Sequence, residues 1–294
     1  MGLLQSLVSL TALLSTAGAV VPAISGYTVT WSDDFTGGTN APPSSSNWIT
    51  DTGTSYPGGP ANWGTGEVQT YTSSVANLRQ TGRGFLEIVA LKSSAGQWTS
   101  GRIETQRKDF MAKAGGAMRI QARLALPSVK QPAGYWPAFW ALGAAYRGNY
   151  TNWPFVGEFD IMESVNGVNK AYATLHCDTN PGGACNEPNG LGSNLACSGT
   201  ACQGNFHIYT LEVDRTSSTE AVRWYLDGTQ FWQVTQSQVP SSVWNQVVHN
   251  PVFILLDLAM GGSFPTGVYG ASTPLSTTTS GGVFTVDYVA VYNK

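Results

Sequence analysis

No stretch of this chain keeps a 3.6-residue apolar period long enough for a core helix. Short runs of alternating or β-branched residues recur instead, each closed by turn-forming residues. They are Tyr27–Ser32, Phe85–Leu91, Ala117–Ala125, Tyr172–His176, Phe206–Val213, Val222–Leu226, Val252–Leu258 and Val283–Tyr292. Asp227-Gly228, set between Arg223-Trp224-Tyr225-Leu226 and Thr229-Gln230-Phe231-Trp232, predicts a two-residue hairpin turn. Many short strands joined by polar turns specify an all-β sandwich or jelly roll. A chain of 294 residues fits one such unit, with a core large enough to need no metal or disulfide support. No linker or internal repeat interrupts it, and Ala271–Gly282, rich in Ser, Thr and Gly, is expected to be a loop.

Residues 1–19 read as a secretory signal peptide and residues 20–294 as a single domain. Leu3 to Val21 is apolar and rich in small residues, and Ala17-Gly18-Ala19 has the form of a cleavage site. The stretch departs from the usual pattern in having no Lys or Arg before it, but Ser6, Ser9, Ser15 and Gly18 make it a poor membrane anchor. Charged residues make up 11% of the chain and the net charge is −3, without a basic or acidic run. Nucleic acid and anionic membranes are therefore not expected as partners, since both call for a clustered basic face. The low charge with 34 Gly, 10 Trp and 12 Tyr suits a secreted β-rich protein facing a neutral substrate, and a monomer is expected.

Cys177, Cys185, Cys197 and Cys202 all fall in one Gly/Asn/Pro-rich stretch. In a secreted chain they imply disulfides, and spacing leaves the pairing open. The spacings do not match paired zinc knuckles. The stapled segment is expected on the surface or at the rim of a cleft. Asn149-Tyr150-Thr151 is an N-glycosylation sequon.

The segment that carries chemistry is Val156-Gly157-Glu158-Phe159-Asp160-Ile161-Met162-Glu163. On a strand Glu158 and Asp160 share a face, while Phe159 and Ile161 point to a core. Glu163 would then face the core, which is costly for a carboxylate. One surplus residue, a β-bulge at Ile161-Met162, returns it to the face of the other two acids. Four strand steps at ~3.3 Å separate the two Glu backbones by roughly 13 Å. Side chains leaning toward each other leave roughly 5 Å between the carboxyl groups, the separation of a retaining glycosidase. In that reading Glu158 is the nucleophile, Glu163 the acid and then the base, and Asp160 staggers their protonation. The competing expectation is a solvated acidic strand face, although like charges on neighbouring positions repel.

Aromatic residues supply platforms for sugar rings. Trp136 and Trp140 are four apart, on one strand face, with Phe139 behind them. Trp63, Trp153 and Trp244 sit among Gly, Asn and Pro, where loops are expected.

Together these segments resemble glycoside hydrolase family 16, the laminarinase-like endo-β-1,3-glucanases, over nearly the whole chain after residue 19. The motifs that carry the resemblance are Gly157-Glu158-Phe159-Asp160-Ile161-Met162-Glu163, Trp136-Pro137-Ala138-Phe139-Trp140, Ser100-Gly101-Arg102-Ile103, Trp63-Gly64-Thr65-Gly66-Glu67, Arg223-Trp224-Tyr225-Leu226-Asp227-Gly228 and Asp287-Tyr288-Val289. The resemblance implies a concanavalin-like jelly-roll β-sandwich with a concave substrate cleft, and one catalytic domain over residues 20–294. It implies that the chemistry needs no cofactor and that Glu158, Asp160 and Glu163 are the catalytic acids. It further implies Arg102, Trp136, Trp140, His176 and Trp63 as sugar contacts, and Asp287 as a ligand of a structural calcium or as an ordinary surface residue. The spaced acids argue against the licheninase and cell-wall transglycosylase branches, whose motif is shorter.

Two positions depart from the pattern. Thr65-Gly66-Glu67 stands where many β-1,3-glucanases carry Asn-Asn-Glu, and Asp257 stands where Asn is usual. They leave mixed-linkage β-1,3(4)-glucan and β-1,3-galactan open beside laminarin-type β-1,3-glucan. A lectin-like sandwich without catalysis needs the tryptophans but not the paired acids; a transglycosylase shares the covalent step. The three histidines form no metal or triad set by spacing, and His207 is expected to be a strand residue with a local partner.

Overall fold

The computed structural model describes residues 20–294; the expected signal peptide lies outside them. Two antiparallel-rich sheets stack face to face, as the alternating runs require. One, seven strands wide, runs Leu191–Leu195, Ala171–His176, Glu158–Glu163, Tyr135–Gly143, Val252–Met260, Arg102–Thr105 and Trp48–Asp51 from edge to edge. All of its pairings are antiparallel. The other sheet has ten strands, with Ala117–Ala125 between Phe206–Asp214 and Gly282–Asn293 at its centre. Its one parallel pair is Gln69–Tyr71 with Trp98–Ser100.

Each run expected to be a strand is one, with ends shifted by at most two residues. Asp227 and Gly228 turn the hairpin with φ of 49° and 78°, the positive values a primed two-residue turn demands. Ala271 to Gly281 is a loop. His207 lies on a strand with Nδ1 2.7 Å from Asp227 Oδ2. Trp244 corrects the loop expectation: it lies in the short helix Ser241–Val248, fully buried, its indole donating to Glu220.

The core lies between the sheets. Phe139, Phe159, Ile161, Leu256 and Leu258 face Ile120, Leu124, Leu211, Trp224 and Phe284, all within 2% exposure. The Val252–Met260 strand is buried along its whole length, because it has the core on one face and the functional cavity on the other. The disulfides pair in sequence order, Cys177–Cys185 and Cys197–Cys202, beside the seven-stranded sheet's edge. Asn149 is exposed, as a glycan acceptor must be. Among the described residues no helix is long and apolar enough to cross a membrane.

Candidate active site

The acidic strand slips register by one residue. Asp160 faces Trp140 of the neighbouring strand, but Met162 faces Phe139, so Ile161 has no partner. On the other flank Asp160 pairs with Thr174 and Glu163 with Tyr172, leaving one residue against two. This is the bulge the sequence asked for. Burying Ile161 while turning Glu163 outward resolves the conflict between an apolar core and a carboxylate. The kink is held from the opposite sheet, where the Trp224 indole donates to the Asp160 carbonyl at 2.8 Å. Gly157 launches the strand at φ 82°, and a Cβ there would lie 2.7 Å from Val247.

Glu158, Asp160 and Glu163 line one cavity of about 520 Å³, together with Trp63, Trp136, Trp140, Trp153, Glu67, Arg102 and Asp257. Tyr56, Tyr146 and Tyr150 complete the wall. Trp136 bridges platform and acid, its Nε1 donating to Glu163 Oε1 at 2.7 Å.

Arg102 also borders the cavity, with two of its five donors bonded to the protein. Nε meets Asp51 Oδ2 at 3.1 Å and Nη2 meets the Tyr56 hydroxyl at 3.1 Å. Its guanidinium lies 4.4 Å from the Trp63 ring and 5.0 Å from Trp140. Arg102 is thus braced between two tryptophans at the cavity wall. His176 lies outside the cavity lining. Its Nε2 is 3.3 Å from Asp160 Oδ2 and 4.0 Å from Glu158 Oε1, and Nδ1 is 2.7 Å from Glu187 Oε2.

Burial pushes Glu158 up from the ordinary 4.5 to about 8, with the Asp160 charge adding and His176 and Arg102 opposing. Burial also drives Glu163 well above 4.5, again with Asp160 adding, while the Trp136 indole and His176 oppose. Two acids this deep and this close cannot both be anionic without a compensating cation. Asp257 is raised from 3.8 to about 7 by burial first, then by the Glu67 charge.

Among the described residues the one cluster of three possible metal donors is Glu158, Asp160 and His176. The imidazole there faces carboxylates through both nitrogens, which is the pattern of a proton network. Asp287 is wholly buried, and its Oδ2 meets Arg123 Nη1 at 2.5 Å. One oxygen of the expected calcium ligand is thus paired with a guanidinium of the same chain.

Sequence reasoning found the acids and the tryptophans of the cavity but not Tyr56 or Glu187, nor the part Trp224 plays beneath the bulge. These come from strands and loops distant in the chain, and no local spacing marks them.

The family model described as "XgeA-like, catalytic GH16 domain" matches residues 116–254. The crystal structure of endo-1,3-beta-glucanase from Streptomyces sioyaensis superposes with a TM-score of 0.91 at 49% identity, covering 94% of this chain and 99% of that one. The laminarinase catalytic domain from Thermotoga maritima superposes with a TM-score of 0.72 at 28% identity, covering 90% and 98%. Glucan endo-1,3-beta-glucosidase A1 of Niallia circulans is 31% identical over 93% of this chain, which spans 39% of that protein's length.

Proposed function

The chain belongs to glycoside hydrolase family 16, and from that premise we propose that it is a secreted, endo-acting, retaining hydrolase of β-1,3-linked glucan. The observation that carries the reading is the single unpaired residue, Ile161, which turns Glu163 onto the cavity wall beside Glu158 and Asp160.

Glu158 is the nucleophile. Its carboxylate attacks the anomeric carbon of a sugar held in the cavity while Glu163 gives its proton to the departing glycosidic oxygen. Water then enters; Glu163 takes its proton, and Glu158 is released. The order of the two acids follows their surroundings. Burial holds the Glu163 proton despite the Trp136 indole, which suits the acid. Glu158 is drawn toward ionisation by His176 and Arg102, which suits the nucleophile. Trp136 and Trp140 offer ring faces, and a long glucan crosses them without needing a charged contact.

Secretion is supported by residues 1–19 and by the two disulfides, which persist in oxidising compartments. The reading is tested with laminarin, lichenan, barley β-glucan and de-branched β-1,3-galactan, following product sizes and the anomer first formed. Mid-length products from laminarin with the β-anomer first are expected. An initial α-anomer would remove the covalent step, and preferential cleavage of galactan would trace specificity to Thr65-Gly66 and Asp257.

A further inference from the structure

His176 closes the strand Ala171–His176, its ring hydrogen-bonded to one acid at Nδ1 and close to two more at Nε2. Nδ1 lies 2.7 Å from Glu187 Oε2, and Nε2 lies 3.3 Å from Asp160 Oδ2. A neutral imidazole has one N–H and one lone pair. One of the two contacts would then set a lone pair against a carboxylate oxygen. With both carboxyls ionised, the doubly protonated ring is the form that favours both approaches.

Glu187 is fixed in place. Its side chain is wholly buried. Its second oxygen accepts the Cys177 N–H at 2.8 Å. The Cys177–Cys185 disulfide closes the loop that leads into it. Gly190 packs its bare backbone on the ring, where a Cβ would come within 2.9 Å of His176 Cε1.

We propose, resting on Glu158 as nucleophile, that Glu187 is a positioning residue: it holds His176 as a buried imidazolium against Glu158 and Asp160, where its charge eases ionisation of the nucleophile. The stapled loop thereby becomes part of the catalytic apparatus. The charged groups facing the ring are Glu158, Asp160 and Glu163 from the acidic strand and Glu187 from the loop. Trp153 and Gly190 complete the surroundings and carry no charge. The titration directions agree with the geometry. Burial opposes a charge on His176, but Asp160, Glu187 and Glu158 outweigh it and raise the ring well above 6.5. His176 in turn lowers both Glu158 and Glu163.

The test is Glu187→Gln. The amide still accepts the Cys177 N–H but turns an NH₂ toward Nδ1, so the ring becomes neutral. The Glu163 limb of the kcat/KM profile against pH should move up by about one unit, because the imidazolium near it is lost, whereas the Glu158 limb should move less, because the Glu187 charge that raises Glu158 is lost as well. KM at the optimum should stay within about twofold, since no sugar contact is removed. The imidazole nitrogen signals give a second readout, with only 3 histidines in the chain. Wild-type His176 should show both nitrogens protonated near neutral pH, and the variant should not. A neutral wild-type His176, or a folded variant with the wild-type profile, overturns the proposal. If the variant fails to fold, the wild-type signals still decide whether the imidazolium exists, and Glu187→Asp, which keeps the charge, should retain it together with the wild-type profile. Activity in a folded Glu158→Gln protein would defeat the nucleophile assignment instead, and leaves the ring signals as an independent measure of the clamp.

Discussion

Replacing Glu158 with Gln separates the chemical and the structural consequences of one buried carboxyl. Glu158 is held in the fold with its affinity for protons raised from 4.5 to about 8. The folded state therefore binds a proton that the unfolded chain releases above about pH 4.5, and stability must fall as pH rises through this interval. At ~1.4 kcal/mol per unit the displacement amounts to about 5 kcal/mol once the pH exceeds both values. Gln cannot ionise, so the variant escapes that loss. It also gives up the attraction between Glu158 and His176. A net gain of about 2–3 kcal/mol near pH 8, vanishing near pH 5, is expected. Urea unfolding of both proteins at the two pH values measures it, and reducing-sugar release from laminarin measures the chemistry. Loss of the nucleophile should lower kcat by several orders of magnitude, on the scale of about 10⁴-fold or more seen when a covalent catalyst is removed. A stability difference that does not change with pH would refute the buried-proton argument. Wild-type turnover by the folded variant would refute the assignment of Glu158.

Trp224→Phe removes the indole that donates to the Asp160 carbonyl beneath the bulge; we expect a loss of about 2 kcal/mol in stability and a larger fall in kcat than in 1/KM, read by denaturant melts and initial rates. Asp257→Asn should retain activity: Tyr71 Oη lies 3.0 Å from both Glu67 Oε2 and Asp257 Oδ2 with one hydrogen to give, and an amide at position 257 can donate to the hydroxyl while its oxygen still accepts the Trp140 indole. Because Asp257 is raised from 3.8 to about 7, wild-type stability is lost as pH climbs through that window. The variant should gain on the order of 2 kcal/mol near pH 8 and little near pH 4, by the same melts. Replacing Cys177 and Cys185 by Ser should cost about 2–3 kcal/mol from the freed loop and should also displace the pH profile, whereas the same change at Cys197 and Cys202 should affect stability alone.

The strands were legible because period-two alternation reports which face is buried, and Ala117–Ala125 is found with the same ends in sequence and structure. The bulge was legible for a sharper reason. Glu163 at an odd distance from Glu158 leaves two outcomes, a carboxylate facing the core or a register slip, and their energies differ by several kcal/mol. The tryptophan strand was legible because its two indoles share a face at a spacing of four. Trp244 was misplaced because Gly, Asn and Pro nearby suggest a loop, while the eight-residue helix that buries it is too short to declare a period.

What stayed hidden has a common physical character: groups that matter through a partner far away in sequence. Trp224 lies 64 residues from the carbonyl it holds, and Arg102 lies 51 from Asp51. Glu187 is only 11 residues from His176, yet its role depends on a loop path set by a disulfide whose pairing the spacing left open. These residues also explain why a short motif suffices to mark the chemistry but does not suffice to perform it. A bulge in isolation would place three acids together and leave them all protonated or repelling. The imidazole clamped behind them and the indole beneath them supply the opposite charge and the rigid backbone that ease ionisation of the nucleophile.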